Sequence, residues 1–417
     1  MTDRRAILSW CFYDWANSAY PTVITTFIFG TYFTQAVAET PELGTASLGR
    51  ALAIAAVVVA MISPILGSIA DREGARKPWL AVFTVACILA TAMLWFVKPA
   101  NEWALWALVF ISVSSVAFEF GMVFYNTMLP ELAPTAMIGR VSGWGWGLGY
   151  VGGLLCLVVA LFGFVETESP WFGIAKAEAA NVRATVLLVA VWFLIFAVPL
   201  FLFAPDRPSK RIAVATAIRD GFETLVHTAR KARNFAGIVR FLVARMFYAD
   251  GLVTLFSFGG IYAAGTFGMS LAEVIQFGIG LNVTAGLGAM AFAGLDDRIG
   301  AKRVIVISLV ALIFFSSAIL AVESKALFWA LGLGLGIFVG PVQAASRSMM
   351  ARLSPEDMHA EMFGLYAFSG KATAFLGPLA LGWATVQFDS QRAGMATIVV
   401  LLGLGLVLVL GVREPAH

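Results

Sequence analysis

The sequence predicts an all-α membrane protein in which twelve transmembrane helices form two pseudo-symmetric six-helix bundles. Composition is the first observation behind this prediction: 60% of the 417 residues are hydrophobic, only 13% are charged, and the mean hydropathy is +0.87. Soluble domains carry about 25% charged residues. The second observation is a charged motif that occurs twice, each time between long apolar segments, which divides the chain into two related halves.

The repeated motif reads GSIADREGARK over Gly67–Lys77 and GLDDRIGAKR over Gly294–Arg303. In both copies an acid and an arginine precede a variable residue, a glycine, an alanine and two cations. The copies are 297 − 71 = 226 residues apart, counted from Asp71 to Asp297. Each copy lies between the second and third apolar segments of its half, where we expect a short loop.

The apolar segments are long enough for about twelve spanning helices, since one such helix needs about 20 mostly apolar residues. The predicted helices cover residues 7–37, 48–70, 79–97, 103–129, 138–165, 182–203, 236–265, 271–292, 304–322, 326–350, 362–386 and 394–412. The first six form an N-terminal bundle over residues 1–204, and the last six form a C-terminal bundle over residues 236–417.

Residues 205–235 are the longest polar interruption and are predicted to form a cytoplasmic amphipathic linker. Pro205 and Pro208 end the sixth helix, because proline lacks the backbone N–H that a helix interior needs. Beyond them, apolar residues recur at helical spacing and cations occupy the opposite face, which is typical of a helix lying on a membrane surface.

Residues that could support catalysis or bind a metal are few and scattered. The three cysteines lie in apolar segments, and an odd number argues against a disulfide framework. The three histidines lie in loops or at the C-terminus and form no metal-ligand cluster. Loop cations account for the net charge of +3, so nothing predicts a nucleic-acid partner. We therefore expect no enzyme activity, no cofactor and no bound metal.

The distribution of lysine and arginine predicts the orientation in the membrane, because cytoplasmic loops carry an excess of these residues. The cations concentrate in one set of loops, which includes both motif copies, the linker and both chain ends. These parts, and hence both termini, are predicted to be cytoplasmic.

Ionisable residues inside predicted spanning helices are costly and by default indicate a functional site. Those within the apolar runs, away from the helix ends, are Asp14, Glu119, Arg245, Asp250, Arg347 and Lys371, with the polar residues Asn17 and Gln343 as neutral candidates. The apolar runs of the third, sixth, ninth and twelfth helices contain none.

The depth of these charges follows from a rise of 1.5 Å per residue. Asp14 and Arg245 each lie about 10 Å from the cytoplasmic end of their helices, so they could pair across the pseudo-twofold axis. Glu119 and Lys371 lie roughly 15 Å deep. These groups, with Asp250, predict a site that holds a zwitterion or exchanges protons; for each, a role in helix packing is the alternative. Arg347 lies near a helix end, where we expect its side chain to snorkel to the surface.

Glycines recur four residues apart in the fifth helix, which reads GWGWGLGYVGG over residues 143–153. Small residues at this spacing let helices approach closely. We therefore expect the fifth helix to contact its neighbours through its backbone.

The repeated motif resembles the signature of the major facilitator superfamily, and the resemblance covers the whole chain. It implies alternating access, with four helices lining a central cavity and the signature forming a conformational latch. Carried over, the latch residues are Gly67, Asp71, Arg72, Gly74, Arg76, Asp297, Arg298 and Gly300, with Glu131 and Arg140 as expected partners. The second copy departs from the pattern at its start, where Ala293 replaces glycine.

The first helix reads FYDWANSAYPTVI over Phe12–Ile24 and resembles one branch, the unknown major facilitator family. Its fungal relatives are autophagy-related vacuolar amino-acid effluxers. The resemblance implies a secondary transporter of a small molecule, first an amino acid. The carboxylates Asp14, Glu119 and Asp250 are candidate proton carriers, and we expect protons as the coupling ion and a monomer in a bacterial inner membrane. The alternatives are a drug or organic-anion exporter, and a membrane sensor or scaffold that keeps the fold without transport.

Overall fold

The computed structural model describes residues 3–208 and 235–414, and these residues are almost entirely helical. Within them, ten helices are long and apolar enough to cross a membrane. Two further segments, residues 4–37 and 359–387, are helical but interrupted, which gives the twelve helices that the sequence predicts. The predicted fold class is confirmed. Most of the predicted linker, residues 209–234, lies outside the described part of the chain.

We number the twelve segments α1 to α12 in chain order. Segment α1 consists of Arg4–Asn17, Tyr20–Phe27, Phe29–Tyr32 and Phe33–Val37. The next five are α2 (Pro41–Glu73), α3 (Lys77–Met93), α4 (Ala104–Thr127), α5 (Ile138–Ala160) and α6 (Ala180–Phe203). The second half has α7 (Ala236–Phe267), α8 (Leu271–Ile299), α9 (Ala301–Ala321), α10 (Lys325–Leu353), α11 (His359–Lys371 and Leu376–Gln387) and α12 (Gln391–Leu410).

Segment α1 is not the continuous α-helix that the sequence predicts over residues 7–37. After Asn17 the backbone changes to a π-helix over Tyr20–Phe27, with Pro21 in its first turn. Proline removes one backbone donor and its ring clashes with the preceding turn, so the regular bonding pattern cannot continue through it. The break follows directly on Asp14 and Asn17.

Segment α11 is also predicted as continuous and is broken over residues 372–375. Its second piece begins at Leu376, and Pro378 lies in the first turn of that piece. Proline is tolerated in a first turn, where the missing N–H would have no helical partner. Pro378 therefore indicates a new helix start rather than a position inside a continuous helix.

The motif copies are largely helical, not loops as predicted. Helix α2 continues to Glu73 and α8 to Ile299. In α2 the alanine, arginine and glutamate of the motif are good helix formers, whereas the aspartates of α8 are not, so propensity explains only the first copy. The helical part of each copy is followed by a glycine with positive φ, 93° at Gly74 and 91° at Gly300. Such backbone geometry favours glycine, which explains the glycine common to both copies.

The described residues divide by their contacts into two compact units. Unit 1 comprises residues 3–62, 74–125 and 148–208, and unit 2 comprises residues 63–73, 126–147 and 235–414. Unit 2 thus includes the C-terminal ends of α2 and α4 and the start of α5. These units are defined by contacts, whereas the predicted bundles over residues 1–204 and 236–417 are defined by the sequence repeat. The bundles therefore stay a prediction.

Candidate functional site

In the first motif copy, Asp71 caps the first turn of α11 within unit 2. Its Oδ1 accepts a hydrogen bond from the Ala360 N–H at 3.0 Å, and its Oδ2 accepts one from the Glu361 N–H at 2.7 Å. The first N–H groups of a helix have no helical acceptor and carry partial positive charge. Gly67 lies one helical turn before Asp71, and a Cβ there would collide with the backbone of Ala360. The glycine and the aspartate together hold α2 against the start of α11.

The second copy makes the corresponding contact with α5, also within unit 2. Asp297 Oδ1 accepts from the Gly139 N–H at 2.8 Å, and Oδ2 accepts from the Arg140 N–H at 3.1 Å. The Arg140 Nε also lies 3.5 Å from Asp297 Oδ2, so Arg140 is a partner of the motif, as expected. The two motif copies therefore make corresponding contacts, in addition to having similar sequences.

A buried ionic cluster surrounds the second copy. The Arg352 guanidinium lies 2.6 Å from Asp296 Oδ1, 3.1 Å from Asp297 Oδ1 and 3.4 Å from Glu414 Oε1. The side chains of Arg352 and Asp296 are each only 3% exposed. Sequence reasoning missed Arg352, Asp296 and Glu414, because charged residues near helix ends resemble solvated ones.

Two further carboxylates cap the helices that follow the motif copies. Asp206 accepts from the N–H groups of Arg76 and Lys77 at 2.8 and 3.1 Å in unit 1. Glu414 accepts from those of Ala301 and Lys302 at 2.8 and 3.1 Å in unit 2. Of the remaining predicted latch residues, Arg76 is buried, Arg72 is half-buried and Arg298 is exposed. The latch role itself stays a prediction.

In unit 1, Asp14 is buried on α1 beside the glycines of α5. A Cβ on Gly149 would meet the Ser18 hydroxyl and lie 3.5 Å from Asp14 Cβ. Asn17, one turn on, donates to the Met122 sulfur at 3.5 Å. Glu119 lies half-buried on α4. The predicted close approach of α5 is thus present, and it sets the position of Asp14.

Aromatic residues close to Asp14 fix α1 against α4. The indole N–H of Trp10 donates to the Tyr125 carbonyl at 3.0 Å, and the Tyr125 hydroxyl donates back to the Trp10 carbonyl at 3.0 Å. The two rings stack with centroids 4.4 Å apart. Tyr13, next to Asp14, hydrogen-bonds Thr84 at 2.7 Å. Trp10 and Tyr13 therefore anchor the helix that carries Asp14.

In unit 2, Arg245 of α7 binds the first piece of α11. One guanidinium nitrogen donates to the Tyr366 carbonyl at 2.6 Å and to the Ser369 hydroxyl at 2.8 Å. The guanidinium carbon also lies 3.5 Å from the Tyr366 ring centroid, in cation–π geometry. Lys371 ends the same helix piece and is half-buried.

Asp250, also on α7, binds the second piece of α11. Its Oδ2 accepts from the Gly377 N–H at 2.9 Å, and the residue is only 3% exposed. Arg245 and Asp250 are five residues apart on α7, yet both meet α11, one before its break and one after it. Asp14 and Arg245 belong to different units, so their pairing stays a prediction.

Arg347 of α10 does not snorkel, and that expectation is wrong. Arg347 is 2% exposed and donates to the Ser142 hydroxyl at 2.9 Å and the Ser142 carbonyl at 2.7 Å. A third nitrogen lies 3.5 Å from Asn126 Oδ1, and the Trp146 ring lies 5.6 Å away. These polar partners in unit 2 compensate the charge, which is why it stays inside. Gln343 lies half-buried one turn earlier on α10.

Two known protein families match parts of this chain. The family described as "Vacuole effluxer Atg22 like" matches residues 133–415, and the family described as "Major Facilitator Superfamily" matches residues 3–157. The chain is 29% identical over 409 residues to an uncharacterized MFS-type transporter, YxiO, of Bacillus subtilis (strain 168), covering 97% of this chain and 94% of that protein.

A fungal relative and a solved structure extend the comparison. Autophagy-related protein 22 of Yarrowia lipolytica is 25% identical over 328 residues, covering 70% of this chain and 53% of that protein. The chain thus spans about half the length of this fungal relative. The structure of the proton:xylose symporter XylE bound to 6-bromo-6-deoxy-D-glucose superposes with a TM-score of 0.73 at 13% identity, covering 98% of this chain and 96% of that one, which supports the shared fold.

Proposed function

The chain belongs to the vacuole effluxer Atg22-like family and is a multi-pass transporter of the major facilitator superfamily, not an enzyme, and from this we propose that it moves an amino acid across the membrane by alternating access. The observation that carries the proposal is the placement of Arg245 and Asp250, which bring a cation and a carboxylate to one helix, α11. An α-amino acid carries one charge of each sign.

We assign the carboxylate of the substrate to Arg245 and Lys371. A guanidinium suits a carboxylate because it presents several N–H donors in a fixed plane. Arg245 uses one nitrogen for Tyr366 and Ser369, which fixes its orientation. Lys371 lies in the last turn of the same helix piece. Asp14 and Glu119 in unit 1 are the acids that we propose for proton coupling.

Substrate-dependent thermal stabilisation tests the proposal. A ligand that binds only the folded state raises its melting temperature. We expect neutral amino acids to stabilise the purified protein, and Lys371→Ala and Arg245→Gln to remove that shift. Accumulation of the same amino acid in proteoliposomes under a pH gradient would support coupling to protons. Stabilisation by amino acids that is equal in both variants would contradict the assignment.

An organic anion is the second candidate substrate, because unit 2 presents three basic side chains on α7, α10 and α11 (Arg245, Arg347 and Lys371). Stabilisation by aliphatic carboxylates and not by amino acids would favour it. Ligand stabilisation without flux in proteoliposomes would instead favour a sensor with the same fold.

We propose that the protein acts as a monomer in a bacterial inner membrane, with both termini in the cytoplasm. The bias of loop cations toward one side supports this orientation. Labelling of cysteines introduced near residues 3 and 414 with a membrane-impermeant reagent, before and after lysis, tests it.

A further inference from the structure

The break in α11 interrupts the regular pattern of helical hydrogen bonds. Pro378 has no N–H to donate to the carbonyl of Ala374, four residues earlier. The N–H of Gly377 bonds to Asp250 and not to a carbonyl of the helix, while the Thr373 carbonyl accepts from Leu376. Irregular backbone at membrane depth is tolerated where it is buried in protein or lines a polar site.

Two side-chain oxygens on α7 at this break have no hydrogen-bond partner within residues 3–208 and 235–414. They are Asp250 Oδ1 and the hydroxyl of Thr254, one turn further along the helix. Asp250 is 3% exposed and Thr254 is 0% exposed. A buried polar atom without a partner is destabilising and is uncommon in native proteins. Two such atoms at one place indicate a ligand that supplies the missing interaction.

The surroundings of Gly377 show that the two oxygens lie near the same backbone position of α11. A Cβ at this glycine would overlap the Thr254 hydroxyl and would lie 3.0 Å from Asp250 Oδ1. Both oxygens are therefore close to the position that any larger residue would fill. Glycine at this position lets the start of the second piece of α11 lie directly against the two oxygens.

The donor set is that of a hard cation of single charge. Its two buried members are one carboxylate oxygen and one hydroxyl, beside an interrupted helix, and hard cations prefer oxygen ligands. Carbonyl ends of broken helices bind Na⁺ in membrane transporters of other folds. The single carboxylate, Asp250, supplies one negative charge, which suits a monovalent ion.

We propose that Asp250, Thr254 and the backbone of residues 372–375 bind Na⁺. Arg245, the charged residue nearest to Asp250 on α7, is directed to Tyr366 and Ser369. Lys371 is the charged residue nearest to the break on α11. Asp250 also supports the proposed function, but Na⁺ binding goes beyond it because it does not require a substrate.

Thermal unfolding of the full chain in detergent tests the site, with NaCl compared with choline chloride at constant ionic strength. We expect Na⁺ to raise the melting temperature in a saturable way. Asp250→Asn, Thr254→Val and Gly377→Ala should abolish the shift, whereas Thr254→Ser, which keeps the hydroxyl, should retain it. Glu323→Gln, an exposed acid outside the site, is the control for surface charge.

Asp250→Asn and Thr254→Val keep the size of the side chain, so their melting temperatures in choline chloride show whether they are folded. An Na⁺ shift of equal size in the wild type and both variants would overturn the proposal, as would the absence of a shift in the wild type. If low pH but not Na⁺ stabilises the wild type, and Asp250→Asn loses this effect, the carboxylate binds a proton. That result would also overturn the Na⁺ proposal. If the wild type shows the Na⁺ shift but is not stabilised by any amino acid, only the proposed function is contradicted.

Discussion

Asp71 accepts a 2.7 Å hydrogen bond from the backbone N–H of Glu361, 290 residues later in the chain, and so ties α2 to the start of α11. The second oxygen of the same carboxylate binds the preceding N–H, of Ala360. The pair of bonds depends on a full negative charge, because the partners are two N–H groups at the positive end of a helix.

Asp71→Asn should lower flux while leaving substrate binding unchanged. The amide keeps one acceptor oxygen and loses the charge, so a hydrogen bond worth about 1.5–3 kcal/mol is removed from the α2–α11 contact. Flux in proteoliposomes and ligand-induced thermal shifts measure the two properties separately. Asp206→Asn is the matched control, since Asp206 makes the same pair of bonds to α3. Equal loss of flux in both variants would remove the special role of Asp71.

Arg352→Gln should strongly destabilise unit 2. The change leaves Asp296 buried without its cation and, among the described residues, leaves Asp297 with the Arg140 cation alone. Breaking one side of a buried ion pair costs about 3–5 kcal/mol. The melting temperature in detergent measures the loss. Lys325→Gln is the control: its pair with Glu273 is of similar length, 2.9 Å, but both side chains are more than a third exposed, so we expect little change. A small effect of Arg352→Gln would mean that water reaches the cluster.

Arg347→Lys should destabilise the contact between α10 and the start of α5. Lysine keeps the charge but cannot bind the Ser142 hydroxyl and carbonyl together, because it lacks the planar fork of arginine. Loss of one bond to a charged group costs about 1.5–3 kcal/mol. Arg240→Lys, at an exposed arginine with a single bond to the Gly411 carbonyl, is the control. An unchanged melting temperature for Arg347→Lys would argue that one amine satisfies Ser142.

Gly149→Ala should impair transport through the position of Asp14. A methyl group at Gly149 would displace the Ser18 hydroxyl and lie 3.3 Å from the Asp14 carbonyl oxygen, so α1 is expected to shift slightly at Asp14. Gly403→Ala on α12 is the control, because a Cβ there meets no atom within 4 Å. The control should be neutral or slightly stabilising, since alanine is a better helix former by roughly 1 kcal/mol. Wild-type flux in Gly149→Ala would show that α1 tolerates the shift.

The sequence predicts most of the helices because each needs only length and hydrophobicity, and it predicts Asp71 and Asp297 because the motif occurs twice. The breaks in α1 and α11 are harder to predict, since average hydropathy does not change at Pro21 or Pro378. Thr254 carries no signal in the sequence: a threonine in a spanning helix is ordinary, and its role depends on Gly377, which lies 123 residues away (377 − 254).

Helix α11 is two short dipoles placed head to tail, and each begins at a carboxylate: Asp71 for the first piece and Asp250 for the second. At the break, the negative end of one dipole therefore adjoins the positive end of the next. A cation that arrives there is attracted by the first piece and repelled by the second. The Na⁺ that we propose there would act on both dipoles, so its binding is expected to change the relative stability of the two pieces of α11.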